Sequence, residues 1–169
     1  MGMADNHGRT RHLGHGFGCH VCLLRPKSVG SVTLTSADPA AAPRIDPKFY
    51  DHPDDLDVMV KAFRITRRIM DAEPLAKWRI AEMYSEGVQS DAEIRTILRK
   101  RSDTVYHPVG TARMGTDALA VVDSQLRVTG VEGLRVVDAS IMPTLIGGNT
   151  NAPSIMIGEK GADIIRRAG

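Results

Sequence analysis

The chain has 169 residues, the length of one ordinary domain or of one domain with part of another, and can bury roughly 69% of its unfolded surface. An apolar fraction of 42% and a charged fraction of 25% are those of a soluble globular chain and argue against disorder. A net charge of +2 leaves no electrostatic footprint for nucleic acid, and no apolar run approaches the ~18 residues of a membrane helix.

Aromatic residues make up only 4%, so the core is expected to be aliphatic. The two cysteines, Cys19 and Cys22, cannot build a disulfide framework, which fits a reducing compartment. Residues 1–18 are basic and rich in His and Gly but lack the apolar segment of a secretory leader. A cytoplasmic location is therefore expected, and residues 1–19 are expected to be loosely ordered.

Two short strands are predicted next. Residues 20–24 form an apolar run that Pro26 ends, because proline cannot donate to a ladder. Residues 30–35 alternate Val32 and Leu34 with small hydroxylated residues, the period of a half-buried strand. Residues 36–47, rich in Ala, Pro and Asp, read as a loop. A helix is predicted from about Asp51 to Asp71. Pro53 lies in its first turn, acids face its positive end, and apolar residues from Leu56 to Ile69 recur at helical spacing. Ser90 and Glu93 match a capping box, with Ile94, Ile97 and Leu98 on one face behind it. Arg99, Lys100 and Arg101 then fall at the carbonyl end, where cations are favoured, which accounts for the triplet without nucleic acid. Beyond Tyr106 two strands are predicted, at 125–128 and 134–138, joined by a turn from Gly130 to Gly133. A final helix over 151–168 has Pro153 in its first turn, and Gly169 follows the pair Arg166-Arg167.

Several groups could carry chemistry. Cys19-His20-Val21-Cys22 has the short pair spacing of a zinc knuckle or a redox motif, and His7, His12 and His15 lie nearby. No second pair completes a zinc set, so buried thiols are the simpler expectation, with a small metal-binding protein as an alternative. Gly14, Gly16 and Gly18 are spaced too closely for a dinucleotide fingerprint, and no complete fingerprint occurs in the chain. His107 precedes Pro108, which biases it toward an extended conformation, while Gly110 permits a tight turn. Gly147 and Gly148 allow a ligand close to the backbone, just before a helix whose free N–H groups favour an electron-rich partner. Asn149 and Asn151 there also suit plain turn and cap roles.

Together these segments resemble a known family. Tyr106-His107-Pro108-Val109-Gly110-Thr111-Ala112-Arg113-Met114-Gly115 is similar to the histidine segment of the glucose–methanol–choline (GMC) flavin oxidoreductases. Val122-Asp123-Ser124-Gln125-Leu126-Arg127-Val128, then Leu134-Arg135-Val136-Val137-Asp138-Ala139-Ser140-Ile141-Met142-Pro143, and Gly148-Asn149-Thr150-Asn151-Ala152-Pro153 follow in the family's order and spacing. The choline-dehydrogenase-like branch is most similar. Leu24-Arg25-Pro26-Lys27-Ser28, Gly30-Ser31-Val32 and Pro43-Arg44-Ile45-Asp46-Pro47 resemble substrate-domain strands, so the resemblance covers roughly residues 15–169.

The resemblance implies an α+β fold: an antiparallel substrate-domain sheet with packed helices, plus the closing strand and C-terminal helix of the FAD domain. Residues 20–105 would be the substrate-binding portion and 106–169 the active-site loop and FAD-domain portion. The Rossmann half that carries the glycine fingerprint is absent from this sequence. The implied activity is hydride transfer from an alcohol CH–OH to flavin N5, by a dehydrogenase or oxidase. His107 and Asn149 match the catalytic positions; Asp138, Ala139, Asn151, Ala152 and Pro153 match positions that meet the flavin. Partners expected on this basis are a small alcohol, a missing N-terminal FAD-binding domain or partner chain, and possible self-association through apolar surface normally covered by that domain. Without it, the isolated chain is expected neither to retain FAD nor to turn over an alcohol. A non-catalytic interaction module that keeps the fold is the alternative.

Overall fold

The computed structural model describes residues 14–168, together with the backbone of Ala4–Asp5 (β1) and Thr10–Arg11 (β2), which pair antiparallel. His7, His12 and part of the segment expected to be loosely ordered lie outside the described residues. The chain divides into two units: Met1–Leu23 with Tyr50–Val105, and Leu24–Phe49 with Tyr106–Gly169.

The first unit is built on helix α1 (Pro53–Met70) and helix α2 (Asp91–Arg101). The predicted start of α1 is realised with a cap, since the Asp54 N–H donates to the His52 side chain ahead of Pro53. Leu56, Met59 and Val60 are buried against Ile94 and Leu98, and Leu23, Tyr50, Phe63 and Val88 flank them. Only part of the apolar pattern of α1 is used this way; Val58, Ile65 and Ile69 are exposed. The capping box at α2 forms as predicted. Ser90 Oγ accepts from the Glu93 N–H at 3.2 Å, and Glu93 Oε2 accepts from the Ser90 N–H at 2.8 Å. The N–H groups of Ser90 and Gln89, both donating to Glu93 Oε2, hold the Glu93 carboxyl at about 2, well below the usual range. A 3-10 helix at Glu73–Trp78, which the sequence pattern does not announce, follows α1. Arg67 ties down the loop beyond it, donating to Glu82 and to the carbonyls of Ser85 and Val88, with its guanidinium 4.8 Å from the Phe63 ring centroid.

The second unit holds strand β3 (Ser31–Thr33) paired antiparallel with strand β4 (Arg44–Asp46), Val32 lying opposite Ile45. Composition alone reads residues 36–47 as loop, whereas 44–46 are strand, as the family resemblance implies. Nor is β3 half-buried: Val32 is 47% and Ile45 68% exposed. Gly30 is required beside β4, because a Cβ there would lie 2.2 Å from the Asp46 carbonyl. The rest of the unit packs α3 (Asn151–Ala168) onto a cluster of Val122, Leu126, Ile141, Met142 and Ile157.

Several sequence expectations are corrected. Residues 20–24 form no strand, because no segment among the described residues pairs with them, and Val21 and Leu24 stay exposed. Cys19 and Cys22 are free and exposed rather than buried. Residues 125–128 and 134–138 are linked only by bridge-type pairing, with Arg127 opposite Arg135 and the Val128 N–H donating to the Leu134 carbonyl at 3.0 Å. The cause is local. Leu126 sits in the left-handed region at φ 63°, and Asp123 Oδ1 accepts from the N–H groups of Gln125 and Arg127, which curls the chain where a strand must stay extended. The connecting turn is as expected, with Gly130 and Gly133 both at positive φ. No helix among the described residues is long and apolar enough to cross a membrane.

Candidate active site

All the candidate site residues lie in the second unit. His107 is presented by a stretch the backbone holds in unusual conformations. Tyr106 adopts φ 62°, a left-handed geometry that costs a non-glycine residue about 1 kcal/mol or more and marks functional segments more often than ordinary ones. Gly110 has φ 85°, and a Cβ there would stand 3.3 Å from the Met142 carbonyl, so a glycine is needed at this turn.

Two backbone bonds hold this segment in place. The Ala112 N–H donates to the Ser140 carbonyl at 3.0 Å and the Met114 N–H to the Ile141 carbonyl at 2.8 Å. Its histidine loop therefore runs alongside the 3-10 helix Ala139–Ile141. Asp138 starts that helix, and its carboxylate accepts from the Ser140 N–H at 2.7 Å. Ala139 packs on the aliphatic cluster. Further along the histidine segment, Arg113 donates to Asp117, which with the Leu119 N–H holds the Asp117 carboxyl at about 2. Asp123 is also lowered, chiefly by the Arg127 N–H.

The start of α3 joins the same constellation through one contact. His107 Nδ1 lies 2.7 Å from Thr150 Oγ1. Thr150 is buried and immediately precedes the helix, and its carbonyl accepts from the N–H and hydroxyl of Ser154. The histidine loop and the Asn149–Pro153 turn, 43 residues apart at this contact, are thereby brought together. Asn149 is exposed, and its carboxamide makes no hydrogen bond among the described residues. Asn151 and Ala152 lie in the first turn of α3, and Pro153 is half-buried there. Sequence reasoning quoted Thr150 without assigning it a role; its position between two asparagines at a helix start was the available signal. Arg25, read in the sequence only as part of a substrate-domain strand, also reaches this turn. Its guanidinium lies over Gly147, where a Cβ would be 3.0 Å from Nη2.

The donor set suits an electron-rich ring edge. The N–H groups of Asn151 and Ala152 have no acceptor among the described residues, Pro153 has no N–H to satisfy, and the flanking Gly148 leaves open space. Free amides at the positive end of an 18-residue helix fit the carbonyl side of an isoalloxazine, so the residues present are compatible with a flavin.

The family model for GMC oxidoreductases matches residues 26–158. The chain belongs to the GMC oxidoreductase family, whose members use FAD. It is 48% identical over 163 residues to an alcohol dehydrogenase [acceptor] of Pseudomonas putida, an alignment covering 96% of this chain and 30% of the relative. It is 52% identical over 154 residues to an oxygen-dependent choline dehydrogenase of Klebsiella pneumoniae, covering 90% of this chain and 28% of that protein. Among solved structures it is similar to an FAD-dependent oxidoreductase from Chaetomium thermophilum, with a TM-score of 0.78 and 32% identity, over 86% of this chain and 26% of the other. The chain thus spans about three-tenths of the length of the curated relatives it matches.

Proposed function

We propose that this chain is the substrate-side, C-terminal part of an FAD-dependent oxidoreductase that oxidises a small alcohol, choline or a related one. The observation that carries the reading is the 2.7 Å contact between His107 and Thr150, which ties the histidine loop to the turn bearing Asn149. The bound flavin would supply the two-electron acceptor for the hydride leaving the alcohol carbon. The protein's own contribution is positioning and charge stabilisation. His107 takes the hydroxyl proton of the alcohol on its Nε2, because an alkoxide releases hydride more readily than the neutral alcohol. Asn149 donates from its carboxamide to the same oxygen and stabilises the developing negative charge. Asp138 and Ala139, with Asn151, Ala152 and Pro153, would hold the flavin, the α3 amides facing its electron-rich edge.

The complementary FAD-binding portion, on the same polypeptide or on a partner chain, is required for activity. The motive is the absence of a glycine fingerprint in these 169 residues. The purified chain is expected to show no flavin absorbance and no alcohol-dependent dye reduction. A stoichiometric flavin band on it would overturn this part of the reading. For the chemistry, the segment is exchanged into the Klebsiella choline dehydrogenase in place of its matching region. The chimera should reduce its flavin with an alcohol, and His107→Ala should slow that reduction by about 10²-fold or more. Unchanged reduction in the variant would remove His107 from catalysis and favour the interaction-module alternative.

A further inference from the structure

We infer that Thr150 is a positioning residue for His107, its hydroxyl accepting the Nδ1–H so that Nε2 is left bare as the base. The inference rests on the reading that His107 accepts a proton, and deepens it by naming the group that selects the tautomer. Thr150 occupies the position directly before α3, where a threonine hydroxyl ordinarily accepts from the N–H of the second or third helical residue. Here the third residue is Pro153, which has no N–H, and Ala152 makes no bond to the Thr150 hydroxyl among the described residues. The lone pairs of Thr150 Oγ1 are therefore not spent on capping. The residue is 8% exposed, so water has little access to them. Among the described residues its hydroxyl has one hydrogen-bond neighbour, His107 Nδ1, at 2.7 Å.

A neutral imidazole carries its proton on one nitrogen only, and the hydrogen bond made by one ring nitrogen decides the state of the other. An acceptor held at Nδ1 selects the Nδ1–H form and opposes the Nε2–H form that a free histidine side chain prefers. It also fixes the ring about its χ angles, since Thr150 is anchored through its carbonyl to the N–H and hydroxyl of Ser154. Pro153 then has two effects: it starts the helix with a preset φ, and it releases the threonine hydroxyl for the histidine.

Long-range ¹H–¹⁵N correlation spectra of the 169-residue chain, at an alkaline pH where imidazoles are neutral, test the inference without cofactor or turnover. The His107 signals are identified among the six histidines by their loss in His107→Gln. The expected result is a pyrrole-type shift at Nδ1 and a pyridine-type shift at Nε2 in the parent chain. Thr150→Val should exchange the two, while Thr150→Ser should retain the parent pattern. A parent chain in the Nε2–H form, with the threonine acting as donor, overturns the inference. So does a Thr150→Val spectrum identical to the parent. If Thr150→Val does not fold, the parent and serine spectra still decide. Because the readout is a tautomer and not a rate, it fails independently of whether His107 serves as a base in the complete enzyme.

Discussion

Helix α3 contains two interior glycines whose surroundings differ, and substituting each by alanine separates packing from helix propensity. At Gly158 an added Cβ meets nothing within 4 Å. Gly158→Ala should therefore stabilise by about 0.5–1 kcal/mol, the backbone entropy difference between the two residues in a helix. At Gly161 the Cβ would lie 2.2 Å from Val137 Cγ1, 3.3 Å from Val137 Cγ2 and 3.4 Å from Leu126 Cδ1. Carbon atoms prefer about 3.5–4.0 Å, and a β-branched side chain has few rotamers with which to retreat. Helix and turn must therefore separate, at a cost of about 1–3 kcal/mol for overpacking. Set against the propensity gain, Gly161→Ala should lie about 1–3 kcal/mol below Gly158→Ala in stability. Urea denaturation of the chain followed by circular dichroism measures this difference directly. Val137→Ala in the Gly161→Ala background should recover most of the loss, so the double-mutant cycle should show favourable coupling. Equal stability of the two single variants, or no coupling to Val137, would refute the close-approach argument. The contact matters for the site because Val137 adjoins Asp138 and α3 begins beside Thr150.

The capping box gives a signed pH dependence. The Glu93 carboxyl is held at about 2 against an ordinary 4.5, so its contribution is fully present above 4.5 and disappears as the pH falls through about 2. Over that window the parent chain should lose helical signal more steeply than Glu93→Gln; parallel acid titrations would show that the carboxylate is not the cap. Arg67→Ala removes donors to Glu82 and to the Ser85 and Val88 carbonyls and should cost about 2–3 kcal/mol. Limited proteolysis should then cut within residues 79–90, whereas an unchanged cleavage pattern would mean that Arg67 does not anchor the loop. Asp117→Asn should weaken the turn after the histidine segment, read as faster amide exchange at Leu119 and Ala120, because the carboxylate accepts from Arg113 and from the Leu119 N–H.

The elements that the sequence announced are those whose causes lie within a few residues. Ser90 and Glu93 are three positions apart, and Pro53 with its neighbouring acids marks a helix start wherever it occurs. The histidine segment and the glycine–asparagine turn were legible because their residue order matches a family whose model spans residues 26–158. Other features were not legible, since alternation of apolar residues does not report whether a partner strand exists. Residues 20–24 have no ladder among the described residues, and 125–128 are bent by the Asp123 carboxylate and by Leu126 in a left-handed conformation.

What residue order determined by itself was local: the capping box of α2, the proline-marked start of α1, the glycine turn at 130–133, and the chemical character of His107 and Asn149. Tertiary structure alone decided that Thr150 meets His107, that Val32 and Ile45 pair without being buried, and that Gly161 must lack a side chain. Short-range hydrogen bonds and propensities act through the few residues that define them, so they can be read along the chain. A contact across 43 residues exists only after apolar packing has fixed the path between its ends.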